Sequence, residues 1–139
     1  MNTLSETISV DIHFYDVDSI NIVWHGNYVK YLENGREAFG NKFGIAYMDI
    51  YNCGFVTPIV DMHIKYLGTV KFGETLLVET RYVPCRSAKL MFDYTIYRKS
   101  DMSVVAEAST IQLFMTKEGE FELSAPDFYR QWKEKWNIK

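Results

Sequence analysis

One long helical stripe, strand-like segments before and after it, and hairpin-length connections among the later ones predict an α+β fold. In this fold an antiparallel sheet wraps around a single helix. The stripe occurs once at length, over residues 27–40, and the element order is β-α-β-β-β-β with a short terminal helix. At 139 residues the chain fits one domain, 1–139, on the usual scale of about 100–200 residues per domain. Its 47% hydrophobic content supports a sizeable core.

Residues 7–15 alternate, with Ile8, Val10, Ile12 and Phe14 on one side, as a half-buried strand requires. After the loop Asp16 to His25, Tyr28, Tyr31, Leu32, Gly35 and Phe39 fall at i, i+3, i+4, i+7 and i+11. Gly26-Asn27 supplies an N-cap for this helix and Gly40 a stop. Gly35 lies inside the stripe, where it costs about 1 kcal/mol against Ala, so something packs closely there. A sheet face is the natural candidate. Further strands are expected over 55–66, 75–83, 88–99 and 103–116, separated by Gly68 to Gly73, Pro84 to Ser87 and Ser100-Asp101. From Ser124 onward a short amphipathic helix is expected, with Ser124 or Asp127 as cap and Pro126 in the first turn.

The late strands look apolar on both faces. Leu90, Phe92, Tyr94 and Ile96 share one side against Met91 and Tyr97, and Ile111, Leu113 and Met115 stand opposite Thr110 and Phe114. One helix covers one face, so the other is expected to meet a ligand or a second subunit, and a homo-oligomer is expected. The 16% aromatic content supplies rings for a pocket or an interface.

The net charge of −3 gives no global reason to bind nucleic acid or an anionic membrane. Cys53 and Cys85 form neither a disulfide framework nor a CxxC pair, which fits a reducing compartment. Met1 to Val10 lacks the apolar run of a signal peptide, and no segment approaches the ~18–20 apolar residues of a membrane span. A cytoplasmic location is expected.

The densest reactive cluster is Tyr15 to Tyr28, where Asp16, Asp18 and His25 lie between a strand and a helix start. A helix N-terminus carries unpaired N–H groups and about half a positive charge, so it polarises a carbonyl or stabilises an oxyanion. A carboxylate delivered there attacks or activates water, and together these parts suit hydrolysis of an acyl compound. Taken alone, Asp16, Asp18 and Ser19 have a commoner meaning as Asx-turn residues, and His25 as a local hydrogen-bonding partner. His13, His25 and His63 are too dispersed for a metal motif. Asp61 and His63 share one side of a strand, where a structural role is expected. No GxSxG elbow or phosphate loop occurs. Glu33 and Arg36 are spaced for an ion pair. Lys71, Arg86, Lys89, Arg130, Lys133, Lys135 and Lys139 form solvated faces or hold the phosphates of a nucleotide-bearing ligand.

Asp16-Val17-Asp18, Val23-Trp24-His25-Gly26-Asn27-Tyr28 and Glu33-Asn34-Gly35-Arg36 resemble the hotdog-fold thioesterases of the 4-hydroxybenzoyl-CoA thioesterase type. That pattern reads D-x-D, a turn, V-[YFW]-[HY]-x-N-Y, then E-x-x-R. Ile64 to Gly68 and Gly73 to Leu76 look like the strands and turn that follow, and the element order agrees over about 7–130. The family commonly has Gly at the position of Asn21; Asn also tolerates a left-handed backbone.

The resemblance implies a five-stranded antiparallel sheet around the long helix, with subunits paired as a dimer or a dimer of dimers. It implies hydrolysis of acyl-CoA thioesters with no metal or redox cofactor. Asp18 would be nucleophile or general base, and the backbone N–H groups of His25 and Gly26 would polarise the carbonyl. The His25 side chain would orient or assist, while Asp16 would shape the loop. Arg86 and Lys89 are the nominees for the coenzyme A phosphates, with the terminal-helix lysines behind them. Two alternatives keep the scaffold: a thioesterase whose donor is acyl carrier protein, and a non-catalytic acyl-CoA binding module.

Overall fold

The computed structural model describes residues 3–138; Met1, Asn2 and Lys139 lie outside them, and with them the start of the N-terminal segment and the last of the basic residues named above. In chain order the elements are β1 (Ser5–Asp11), α1 (Asn27–Phe43), α2 (Tyr47–Asn52), β2 (Phe55–Val56), β3 (Ile59–Tyr66), β4 (Thr75–Val83), β5 (Lys89–Arg98), β6 (Val104–Leu113), β7 (Met115–Thr116) and α3 (Asp127–Lys135). Five strands make one antiparallel sheet in the order β1-β4-β5-β6-β3, and β2 pairs with β7 in a separate ribbon. The sheet wraps α1, which is the hotdog arrangement implied by the resemblance.

Alternation decides which residues enter the core. Leu76, Val78 and Tyr82 of β4 and Leu90, Phe92, Tyr94 and Ile96 of β5 are buried against Tyr28, Tyr31, Leu32 and Phe39 of α1. Gly35 is buried in the same contact: a Cβ there would stand 2.4 Å from Thr80 Oγ1 and 3.2 Å from Val78 Cγ1. The expected close approach of a sheet face is real. Polar groups inside the contact are joined, with Arg36 Nη1 donating to the Tyr94 hydroxyl (3.1 Å) and that hydroxyl bonded to Thr110 Oγ1 (2.7 Å). The expected Glu33–Arg36 pair is present at 2.7 Å.

The outward sheet face differs from the expectation of continuous apolarity. Met91, Tyr97, Ile111 and Leu113 are half-buried there, but Glu79, Arg81, Asp93 and Glu107 cross the middle, and Arg81 pairs with Glu79 at 2.9 Å. Asp61 and His63 lie exposed on β3, which keeps one edge unpaired.

Several boundaries are corrected. The strand expected over 7–15 ends at Asp11, because Ile12 N–H bonds Glu74 O (2.9 Å) and Phe14–Asp16 then make one turn of 3-10 helix. Phe14, placed with the buried side, is 75% exposed. Asn27 is the first helical residue, and its side chain does not cap the helix; its amide donates to Asp16 O (2.8 Å). Gly40 is inside α1, which runs on to Phe43 and stops at Gly44, a left-handed residue with φ 76° whose N–H bonds Gly40 O. The strand expected over 55–66 is broken at Thr57-Pro58, and the one over 103–116 at Phe114. Helix α2 was not expected, and Pro126 rather than Ser124 or Asp127 holds the N-cap position of α3, with no side-chain cap.

Gly40 has a steric cause. A Cβ there would meet the Ala46 backbone at 2.6 Å (Cα) and 2.9 Å (N), as the chain folds back after Gly44. Backbone does not yield as a side-chain tip does. Gly40→Ala is expected to lose about 1–3 kcal/mol despite its better helix propensity. The check is a lower urea midpoint at unchanged slope.

Helix α3 closes the C-terminal end of α1. The indoles of Trp132 and Trp136 both donate to Phe43 O, at 2.7 and 3.0 Å, satisfying a carbonyl the helix leaves unpaired. Tyr129 donates to Lys89 O (3.0 Å), so the Tyr82 hydroxyl donates to Tyr129 in the bond that joins them. Burial pushes the Tyr82 phenol up to about 12 and Tyr129 higher. Among the described residues no helix is long and apolar enough to cross a membrane.

Candidate active site

The loop between β1 and α1 holds its shape by pairing its own two limbs. Val17 and Val23 form an antiparallel bridge, Asp18 N–H bonds Ile22 O (2.8 Å), and Trp24 N–H bonds Asp16 O (3.0 Å). Asn21 makes the reversal with φ 61°, the left-handed conformation that Asn tolerates. Its side chain also accepts Phe72 N–H (3.2 Å).

The two aspartates do different things. Asp16 is 8% exposed; its Oδ2 accepts His13 N–H (2.8 Å) and its carbonyl accepts Trp24 N–H and the Asn27 amide. It shapes the loop. Asp18 is exposed, and its Oδ1 accepts Ile20 N–H (3.0 Å) and Ile22 N–H (3.1 Å). The Asx turn is therefore present, yet Oδ2 of Asp18 takes no hydrogen bond from any described residue. One oxygen fixes the carboxylate and the other is left without a hydrogen bond among the described residues.

The head of α1 supplies the complementary groups. Asn27, Tyr28 and Val29 N–H turn back onto the carbonyls of Trp24 (2.9 Å), His25 (3.3 Å) and Gly26 (3.3 Å). The N–H groups of His25 and Gly26 have no acceptor among the described residues. These are unpaired donors at the positive end of the helix, and a fixed donor pair of this kind lowers the energy of an oxyanion. The His25 ring lies beside Trp24 (5.2 Å between centroids) and edge-on to Tyr66 (6.4 Å). Tyr66, at the end of β3, donates its hydroxyl to His25 O (2.9 Å) and so ties the sheet to the helix head. Phe14, Tyr15, Ile20, Trp24 and Phe72 are exposed around this loop.

Segment 69–74 braces the loop from beneath. Val23 N–H bonds Val70 O (2.8 Å), and Gly73 N–H bonds Ile12 O (3.2 Å). This support was not visible in the sequence, where 68–73 read as a plain turn.

Arg86 and Lys89 are not brought to Asp18 within one chain. They lie at the β4–β5 turn, while the Asp18 loop lies over the start of β4, about 30 Å away at the usual rise of a nine-residue strand. At that far turn Cys85 Sγ is 2.9 Å from Ser87 Oγ, a hydrogen bond that holds the thiol below its ordinary pKa, and Lys133 donates to Cys85 O (2.6 Å).

A cavity of about 670 Å³ opens between α1, α2 and the sheet. Ile45, Met48, Ile50, Ile59, Leu90 and Phe92 give it apolar walls, and Arg36 and Gln112 add polar ones. Its α2 wall was missed because six residues are too few to show a helical period. Among the described residues no group of three or more His, Cys, Asp or Glu is placed to hold a metal ion.

Comparison with known proteins gives concordant results. The thioesterase-like superfamily model matches residues 12–132. A Bacillus subtilis (strain 168) protein that carries the name putative acyl-CoA thioesterase is 31% identical over 73% of this chain and 75% of its own. An acyl-acyl carrier protein thioesterase of Arabidopsis thaliana chloroplasts is 22% identical over 78% of this chain and 57% of its own. The 4-hydroxybenzoyl-CoA thioesterase of Pseudomonas sp. strain CBS-3 is 27% identical over 84% of this chain and 86% of its own. Its solved structure superposes with a TM-score of 0.80 at 26% identity, covering 92% of this chain and 98% of that one.

Proposed function

Because the chain belongs to the thioesterase-like superfamily, we propose that it hydrolyses acyl-CoA thioesters to free acid and coenzyme A, using Asp18 and the head of α1. The observation that carries this reading is that one loop holds both an Asp18 oxygen without a hydrogen bond and the two unpaired N–H groups of His25 and Gly26. The thioester carbonyl oxygen accepts those N–H groups, whose bonds strengthen as negative charge collects on it. Asp18 then acts in one of two ways. It attacks the carbonyl carbon and expels the thiolate, leaving an anhydride that water opens; or it takes a proton from the water that attacks. In both, the sulfur leaves as thiolate and gains a proton to give coenzyme A.

A homo-oligomer is part of this reading. A second copy laid antiparallel along the unpaired edge of β3 brings its own Tyr66, and with it its His25 and Asp18 loop, beside Ile59 and the 670 Å³ cavity of this chain. The acyl group then enters apolar walls while its thioester stays at the partner's helix head. Light scattering checks the state, and a monomer with full activity removes this part.

The test of the function is release of free coenzyme A from a panel of aryl- and alkyl-CoA thioesters. Hydrolysis of any member well above the uncatalysed rate supports the reading; silence across the panel counts against it. The Arabidopsis relative motivates running acyl carrier protein thioesters alongside. A rate seen only with the carrier, and falling steeply with salt, favours that donor.

His25→Phe separates main chain from side chain at the helix head. It keeps the N–H donor and loses the imidazole, so kcat is expected to fall by no more than about tenfold, whereas loss of an oxyanion donor costs about 10²–10³. A larger fall measured by steady-state kinetics assigns proton transfer to the imidazole.

A further inference from the structure

We propose that Arg98 is a positioning residue for hydrolysis: it locks segment 69–74, and through it the loop that carries Asp18. The inference rests on the function proposed above. Arg98 lies 80 residues from Asp18 in sequence, at the end of β5, opposite Leu76 in the β4–β5 register. That places its side chain on the helix-facing side of the sheet, directly under segment 69–74.

The guanidinium makes two separate attachments to this segment. Its Nη2 donates to Thr69 O, and its Nε stands 2.9 Å from Glu74 Oε1 in an ion pair with both side chains largely covered, 23% and 30% exposed. The other Glu74 oxygen, Oε2, accepts Lys71 N–H (2.6 Å). One cation therefore fixes Thr69 and Glu74 directly and Lys71 through Glu74. The guanidinium donates to the carbonyl through Nη2 while its charge, with no hydrogen bond from Nε, holds the carboxylate as an ion pair; a single ammonium on a flexible stem is less suited to reach both. The anchor on the other side is Ser103, whose hydroxyl receives Nη1 at 3.4 Å.

Segment 69–74 in turn grips the Asp18 loop at both ends. Before Asp18, Ile12 N–H bonds Glu74 O (2.9 Å) and Gly73 N–H bonds Ile12 O (3.2 Å). After it, Phe72 N–H bonds Asn21 Oδ1 (3.2 Å) and Val23 N–H bonds Val70 O (2.8 Å). Val23 leads within two residues to the unpaired N–H of His25. Thr69, Lys71 and Glu74, the residues Arg98 fixes, are interleaved with Val70, Phe72 and Gly73, which hold the loop. Misplacement of a reacting group by about 1 Å costs on the order of 10²-fold in rate, so the clasp acts on turnover without touching substrate.

Arg98→Ala and Arg98→Lys are compared with the native chain in two measurements, hydrogen exchange of the Val23 and Phe72 amides and steady-state hydrolysis. Arg98→Ala is expected to speed exchange at both amides by tenfold or more, while exchange in the buried core of β5 and β6 stays within threefold. It lowers kcat by about 10–100-fold with KM changed less than threefold. Arg98→Lys keeps the charge but loses the fork, and recovers no more than a fraction of the lost kcat. Unchanged exchange at Val23 and Phe72 in Arg98→Ala overturns the proposal whether or not the chain hydrolyses a thioester. Faster exchange with kcat within twofold of native also overturns it, as does a fall in kcat matched by equal loss of protection across the core. Failure of the native chain on the whole thioester panel rejects the function instead, and Val23 and Phe72 exchange still judges the clasp.

Discussion

Asp18→Asn is expected to lower kcat for acyl-CoA hydrolysis by about 10³-fold or more while the thioester still binds, because removal of a group that acts in the transition state typically costs this much. Asn is nearly the same size, and its side-chain oxygen still accepts the N–H groups of Ile20 and Ile22 that set the loop. What it loses is the negative charge on the oxygen that carries no hydrogen bond in the native chain. The variant therefore isolates chemistry from loop shape. Two measurements check it: single-turnover release of coenzyme A, and binding of an intact thioester by calorimetry. Retention of a tenth or more of native kcat removes Asp18 from the mechanism. Loss of binding together with rate assigns Asp18 to substrate recognition.

Phe39→Ala is expected to cost about 3–5 kcal/mol, as for other buried Phe truncations. Phe39 is fully buried in the middle of the wrap, with Phe43 at 4.6 Å, Phe92 at 5.0 Å and Tyr82 at 6.5 Å between ring centroids. It links α1 to β4 and β5, and through Tyr82 to Trp132 of α3. The rings around it belong to different elements and cannot collapse together into the void, which puts the cost toward the upper part of that range. In a domain of this size the midpoint of thermal unfolding drops on the order of 10 °C or more. Calorimetry of the native and variant chains checks it, and a fall below about 1 kcal/mol shows that the site repacks.

The two features most legible in the sequence are the most local ones. The stripe from Tyr28 to Phe39 is a pattern within one helix, and Asp18, His25 and Gly26 lie within nine residues of one another. Boundaries set by distant approach were not legible. Gly40 reads as a stop by its own chemistry, but it sits where the Ala46 backbone crosses the helix, and Gly44 makes the turn. Pro58 marks the break between β2 and β3, a signal that was present but submerged in the apolar run from Phe55. Ile12 alternates correctly with β1 yet pairs outside it, because its partner is Glu74. Arg98 had no signal at all: its meaning comes from a segment 24–29 residues away that itself read only as a turn. The coenzyme A nominees stand at the far end of β4 from the Asp18 loop. Arg86 and Lys89 were chosen for charge, which says nothing about which end of a sheet they occupy.

The helix head has an evolutionary consequence. Two of the three groups that do the chemistry in this reading are main-chain N–H groups, and an ordinary substitution cannot delete a peptide hydrogen; proline or a changed fold is needed. On this proposal the Asp18 carboxylate is the side chain that acts on the reacting atoms, and Arg98 the one that keeps its loop in place. The exposed rings beside it, from Phe14 and Tyr15 to Trp24 and Phe72, are free to drift. A scaffold of this kind diversifies toward new acyl groups by small steps that leave the hydrolytic apparatus intact.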